Sequence, residues 1–219
     1  MRENIIIVGD SGFSRSIRWL IEDIDDHAQN TVYCVVGHVV SDVEYLGQGH
    51  HGLLGTFKYL YMHTELWDSL AMGVGAPGAR MELSNRLLNA FPARIWPSLV
   101  SPRAHVSDRV HIQQGVIIQS GCRGFVDASV LEFALLNLNV TVGHDALIGR
   151  YCNISPSVNI SGGCVIDEGA MIGTGAQILE NLTVGKWAKV GAGAVVTKDV
   201  PPGETWVGIP ARKVEENGG

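Results

Sequence analysis

VGHDALIGRYCNISPSVNISGGCVIDEGAMIGTGAQI, residues 142–178, decides the fold. Its Val142, Ile148, Ile154, Ile160, Ile166, Ile172 and Ile178 stand six residues apart. The interval continues back through Leu136, Val130, Gly124, Ile118, Ile112, Val106 and Val100, and forward through Val184, Val190 and Val196. Gly124 alone breaks the aliphatic series. A second series, four residues after each member, is mostly small: Ala146, Cys152, Val158, Cys164, Ala170 and Ala176 belong to it. A helix repeats every 3.6 residues and a strand every two, and neither produces both series. Stacked coils do. Each six-residue step forms a short flat side, three steps close a triangular turn, and the result is the hexapeptide form of the β-helix repeat. The aliphatic residue points inward, and the second inward place is tight. Gly143, Gly149, Gly173, Gly185 and Gly191 follow an aliphatic residue, where the chain is expected to turn a corner with φ > 0. Seventeen steps at three per turn make between five and six coils. At the usual strand separation the prism is about 25 Å tall.

The first part of the chain has a different grammar. Asn4 to Val8 reads as a buried strand, Gly9-Asp10-Ser11-Gly12 as a tight turn, and Ser14 to Ile24 as a helix with Ile17, Leu20, Ile21 and Ile24 on one face. Thr31 to Val36 reads as a second strand, Thr56 to Tyr61 as a short helix, Leu70 to Gly75 as a third strand and Arg80 to Asn89 as a helix. Strands alternating with helices predict a small, Rossmann-like parallel α/β domain. The expected division is therefore an α/β domain over 1–97, ending in the Phe91–Pro97 connection, and the coil stack with its tail over 98–219. The tail after Pro201 leaves the phase and is expected to fold back over the last coil.

Bulk properties exclude several classes. With 219 residues, 46% of them apolar, the chain can bury a real core. A net charge of -6 leaves no basic footprint for nucleic acid. Cys122, Cys152 and Cys164 fall in the small inward series, and with Cys34 they form no CxxC spacing, so they read as packing thiols. No apolar run reaches transmembrane length and no signal-peptide layout precedes the first strand, so a cytoplasmic, reducing compartment is expected. His50-His51, with His38 and His63 nearby, lack a carboxylate or thiol to complete a metal site and read as an exposed loop; no metal is expected. The Gly9–Gly12 turn has the place of a phosphate-cradling turn but lacks GxGxxG.

The hexapeptide repeat, Val142-Gly143-His144-Asp145 with Ile148-Gly149 after it, and the ending Val207-Gly208-Ile209-Pro210-Ala211-Arg212 resemble the hexapeptide acyltransferases. With the preceding α/β domain, the chain resembles the bacterial nucleotide-sugar N-acetyltransferases and the related sialic acid O-acetyltransferase-like proteins. The resemblance implies a left-handed parallel β-helix, an exception to the usual crossover hand. It further implies a homotrimer with sites between subunits, acetyl-CoA as donor and a nucleotide-linked amino sugar as acceptor.

Acyl transfer from a thioester needs a base for the attacking group, donors for the oxyanion and fixed geometry. His144 is the candidate base, since an imidazole pKa of about 6.5 leaves it mostly neutral at pH 7. The resemblance makes Asp145 its orienting partner. Asn153 stands where relatives carry a second histidine; it can donate a hydrogen bond to the acyl carbonyl but is no base, and it reads equally as a ladder residue. Backbone N–H groups near Gly162 and Gly173 are candidates to hold the thioester and pantetheine. Lys189 and Arg212, within a cluster including Lys186, Lys198 and Lys213, are candidates for the CoA phosphates. Gly9, Asp10, Ser11, Gly12 and Asp42 are the candidates for the nucleotide, although relatives carry a Gly-Gly-His run and an acidic pair at these places. An O-acetyltransferase and a non-catalytic β-helical binding module remain open beside the N-acetyltransferase. The repeat makes a sharp prediction: one residue inserted after Gly163 puts every later inward side chain out of phase. Thermal unfolding of that variant should show loss of the native transition, and an unchanged melting temperature would refute the register.

Overall fold

The computed structural model describes residues 2–28, 32–41 and 52–215. Two compact units, Met1–Pro102 and Arg103–Gly219, make up the chain.

The first unit holds β1 (Glu3–Val8), α1 (Gly12–His27), β2 (Tyr33–Val40), β3 (Leu53–Thr56), α2 (Lys58–Met62), β4 (Ser69–Met72) and α3 (Pro77–Ala90). Its strands form a parallel sheet in the order β3-β2-β1-β4. Ile5, Ile6, Ile7 and Val8 of interior strand β1 are completely buried, the run expected of a parallel strand covered on both faces. α1 buries Ile17, Leu20 and Ile21. It starts earlier than its apolar spacing implies because Ser11 caps it: Ser11 Oγ accepts from the N–H groups of Phe13 (3.2 Å) and Ser14 (3.4 Å), and Ser14 Oγ accepts from Ser11 N–H at 2.9 Å. β3 was not expected. Leu53-Leu54-Gly55-Thr56 is too short to show a period, and its pairing with His38, Val39 and Val40 of β2 makes it a strand. The short helix α2 consequently begins at Lys58, and the strand expected third in the chain is the fourth. His38 is a second correction. It is 2% exposed within β2, with Nδ1 donating to the Gly9 carbonyl at 3.2 Å, and so belongs to no exposed histidine patch. His50, His51 and Asp42 lie outside the described residues.

The second unit is a left-handed parallel β-helix. Its coil strands are two residues long and pair in parallel with the strand eighteen residues on: Ser129 with Leu147, Leu147 with Val165, and Val165 with Thr183. Asn153 to Met171 to Lys189 and Thr141 to Asn159 to Gln177 run down the other two faces. Both inward series are buried through the middle of the stack: Ile148, Ile154, Ile166 and Ile172 are fully enclosed, as are Cys152, Val158, Cys164, Ala170 and Ala176, while Val100, Val106 and Ile112 of the first steps are only half-buried. Enclosing one such aliphatic side chain contributes about 1.5–3 kcal/mol. Each inward thiol donates to a corner carbonyl fifteen residues on: Cys122 to Asn137 (3.1 Å), Cys152 to Asp167 (2.9 Å) and Cys164 to Leu179 (3.0 Å). Burial pushes the Cys122 thiol up to about 11, which fits a packing role rather than a reactive one. Thr205–Val207 continues one face beside Lys189–Val190, and Arg212–Lys213 turns back antiparallel on it, as expected of the tail.

The corner glycines divide into two kinds, which corrects the expectation of φ > 0 at Gly143 and its equivalents. Positive φ falls three residues after the aliphatic residue, at Asp145, Tyr151, Ser157, Gly163, Gly169, Gly175 and Asn181 among others. Gly143, Gly149 and Gly173 are glycine for want of space: an added Cβ would meet backbone nitrogen of the next coil at 2.4 Å (Gly162), 2.7 Å (Glu168) and 2.5 Å (Ala192). The single break, Gly124, has φ 106° and a Cβ there would lie 2.1 Å from the Val142 carbonyl oxygen; Phe125 beside it, with φ 70°, is fully buried. Two arginine–carboxylate pairs cross between coils at corners, Arg109 with Asp127 and Arg150 with Glu132 (2.8 Å). The hydrogen-bonded Arg150 guanidinium holds the Glu132 carboxyl below its usual range. The glycine assignment is testable by urea unfolding. Gly149→Ala should cost about 2–3 kcal/mol because backbone, not a movable side chain, occupies the space, whereas Gly78→Ala in the first turn of α3, where nothing lies within 4 Å, should be neutral or stabilising.

Candidate active site

His144 and Asp145 stand on the corner between the strands Thr141–Val142 and Leu147–Ile148. Asp145 is itself the left-handed residue, with φ 58°, a conformation aspartate tolerates better than most residues. That turn folds its carboxylate back onto its neighbour, so that His144 Nδ1 and Asp145 Oδ2 are 2.8 Å apart. An ionised carboxylate only accepts, so the proton of this hydrogen bond belongs to Nδ1, and in the neutral ring Nε2 carries the lone pair. Both side chains are open, 72% and 65% exposed in the single chain.

The eighteen-residue register decides their neighbours. The Asp145 N–H donates to the Val126 carbonyl (3.0 Å), the Gly163 N–H to the His144 carbonyl (2.8 Å), and the Asn181 N–H to the Gly162 carbonyl (3.0 Å). Along this edge, Val126-Asp127 precedes the pair, and Gly162-Gly163 and then Glu180-Asn181 follow it. Val126 and Glu180 were not singled out from the chain, yet the repeat held the signal, since each is a whole number of coils from His144. Gly162 lies directly against the imidazole. Among the described residues no acceptor takes its N–H, which leaves that donor open to a ligand.

The other candidates are dispersed. Asn153 lies mid-face, separated from His144 by the whole face containing Leu147–Ile148; it is half-buried, and its Oδ1 is shielded without a hydrogen-bond partner. The Gly173 N–H already donates to the Val190 carbonyl at 2.8 Å, so a ligand cannot use it. Lys189 is exposed on the face of Asn153 and Met171, and Arg212 is exposed with Nη1 donating to the Ala211 carbonyl at 2.7 Å. Lys213 is engaged by Glu204 at 2.6 Å. In the first unit, the turn after β1 is shaped by Gly9, whose φ is 111° and whose added Cβ would meet Ser14 Oγ at 3.0 Å and the Gly73 carbonyl at 3.1 Å. Ser11 occupies the Phe13 and Ser14 amides, so of the first three helical N–H groups only that of Gly12 is left to a ligand. Among the described residues no group of three or more His, Cys, Asp or Glu side chains could hold a metal ion.

The bacterial transferase hexapeptide model (six repeats) matches residues 163–198. UDP-3-O-acylglucosamine N-acyltransferase of Caulobacter sp. (strain K31) is 40% identical over 111 residues, 49% of this chain and 33% of its own length. The chain is similar to hexapeptide-repeat acyltransferases over its repeat region. It spans about a third of the length of the curated acylglucosamine N-acyltransferases it matches. Solved structures of this class align over nearly the whole chain. A mutant of perosamine N-acetyltransferase from Caulobacter crescentus, in complex with CoA and GDP-perosamine, has the same fold, with a TM-score of 0.87, 23% identity and 97% of each chain covered. The acetyltransferase domain of PglB from Neisseria gonorrhoeae FA1090, in complex with acetyl coenzyme A, has a TM-score of 0.85 at 26% identity, covering 98% of this chain and 100% of its own. No described helix of the chain is long and apolar enough to cross a membrane. The hydrogen-bond assignment at its histidine can be read directly. At pH 8, ¹⁵N chemical shifts should place the His144 proton on Nδ1, and Asp145→Ala should abolish that preference; a ring protonated on Nε2 in the unaltered protein would contradict the geometry.

Proposed function

We propose that this protein transfers the acetyl group of acetyl-CoA to the amine of a nucleotide-linked amino sugar. The observation that carries the reading is the His144–Asp145 pair, its Nδ1–Oδ2 contact of 2.8 Å leaving Nε2 as acceptor beside the unused N–H of Gly162. The 26% identical PglB domain, solved with acetyl coenzyme A, supports the donor. The likeness to the perosamine N-acetyltransferase, as a likeness of fold, is consistent with the acceptor class.

The chemistry follows from these groups. The acceptor amine attacks the thioester carbonyl; a C–N bond forms and the C–S bond breaks. His144 Nε2 takes the amine proton, and the Asp145 carboxylate stabilises the resulting imidazolium, as an acidic partner does in other imidazole bases. The Gly162 N–H donates to the oxyanion of the tetrahedral intermediate, a contribution of several kcal/mol when the donor is pre-placed. The imidazolium then returns the proton to the departing thiolate. Exposed Lys189 and Arg212 are cations for the CoA phosphates, and half-buried Asn153 is assigned to the cofactor as well. Gly9, Asp10, Ser11, Gly12 and Asp42 are assigned to the nucleotide. A homotrimer is the proposed assembly, supported by Val126 and Leu179, each 41% exposed on the same edge as His144. A cytoplasmic setting agrees with the three buried free thiols.

Thiol release from acetyl-CoA with a panel of nucleoside-diphosphate-linked amino sugars tests the reading. His144→Ala should lower kcat by roughly 10²-fold or more, the general-base scale. Turnover of the hydroxy sugars instead of the amino sugars would make the enzyme an O-acetyltransferase, and no turnover with any acceptor would favour a binding module.

A further inference from the structure

Gly162 is not glycine for the sake of its backbone. Its φ lies outside the left-handed region, and the same corner position holds Val126 one coil before His144 and Glu180 one coil after Gly162. The coil therefore accepts a side chain at this place. The object that forbids one at residue 162 is the imidazole: an added Cβ would lie 2.6 Å from His144 Nε2, 2.7 Å from Cε1 and 3.0 Å from Cδ2. Those three distances are nearly equal. A point in the ring plane beyond Nε2 would be much closer to that nitrogen than to the two carbons, so the point lies over the face of the ring.

We propose that Gly162 is the positioning residue of the base: the His144 imidazole lies flat against it. This rests on His144 acting as the base. The Nε2 lone pair lies in the ring plane and therefore runs along the coil surface instead of into it. The Asp145 carboxylate restrains the opposite edge at Nδ1. Two contacts thus determine the aim of Nε2, one setting which edge faces outward and one setting the tilt. A methyl group at residue 162 would occupy the ring's place and force the imidazole to swing. Misplacing a catalytic group by about 1 Å can cost on the order of 10²-fold in rate.

Gly162→Ala retains the backbone N–H, so any hydrogen bond from that amide to the thioester survives, and the test is made in two backgrounds. In the otherwise unaltered enzyme, Gly162→Ala should lower kcat about 10- to 100-fold, with KM for both substrates and the melting temperature essentially unchanged. In the His144→Ala background the same change should alter the residual rate by less than about twofold, because two residues acting through one group are not additive. The ¹⁵N resonances of His144 should also shift in the single variant, a readout independent of turnover. Near-normal kcat for Gly162→Ala beside an impaired His144→Ala would overturn the proposal alone, as would an equal fold loss in both backgrounds. Full kcat in His144→Ala would remove the base itself, and the seat with it.

Discussion

The backbone ladder that ties each residue to the one eighteen places on is the constraint from which the second unit follows. Two-residue strands cannot stand alone, since an isolated pair forms too few hydrogen bonds to offset the entropy of ordering it. Paired above and below at every turn, Ser129 to Leu147 to Val165 and onward, they become faces of a prism. The ladder admits no slip. A shift of one residue would move Ile148, Ile154 and Ile160 from the interior to solvent while forcing larger side chains into places held by Cys152 and Ala170. It also sets up columns at each corner, because equivalent residues of successive coils stack. Arg109 meets Asp127, Glu132 meets Arg150, and Phe133 stacks on Tyr151 with ring centroids 5.8 Å apart, all at that one interval.

The same ladder separates the residues that hold the fold from those free to carry chemistry. Inward places are confined by volume, which is why a thiol, an alanine or a valine recurs there. Corner places are confined only by φ and by the coil on either side. His144 and Asp145 occupy such a corner, and their hydrogen bond needs no exceptional backbone, since Tyr151 and Ser157 adopt nearly the same φ at corners without an equivalent pair. What distinguishes this corner is the following coil, where Gly162 makes room. The geometry proposed for catalysis comes from a regular scaffold in which one side chain has been left out.

The α/β unit was less legible. β1 and α1 have long, patterned segments and were readable from Ile5–Val8 and from Ile17, Leu20 and Ile21. β3 is four residues long and is a strand only because β2 lies beside it. His38 looked like part of a polar loop, but burial in a parallel strand is decided by what covers both faces, and the Gly9 carbonyl supplies its partner. The turn at Gly9 has a positive φ that glycine adopts freely, while Ser11 satisfies two amides at the helix start. Sequence showed the glycine and the serine but not which of them faced the helix end.

Periodicity along the chain was enough to establish the coil, its inward residues and the corner position of His144, because each of these is a local property of spacing and residue type; the pairing of that histidine with Asp145 came from the resemblance, and the left-handed turn at Asp145 brings the two together. Tertiary structure alone decided which glycines turn corners and which yield to the neighbouring coil, that the Gly173 amide is already committed, that Asn153 stands a full face away from His144, and that Gly162 lies beneath the imidazole. Those outcomes depend on distances through space between atoms a turn apart, where a few tenths of an ångström separate contact from overlap, and no pattern of residue types encodes distance at that scale.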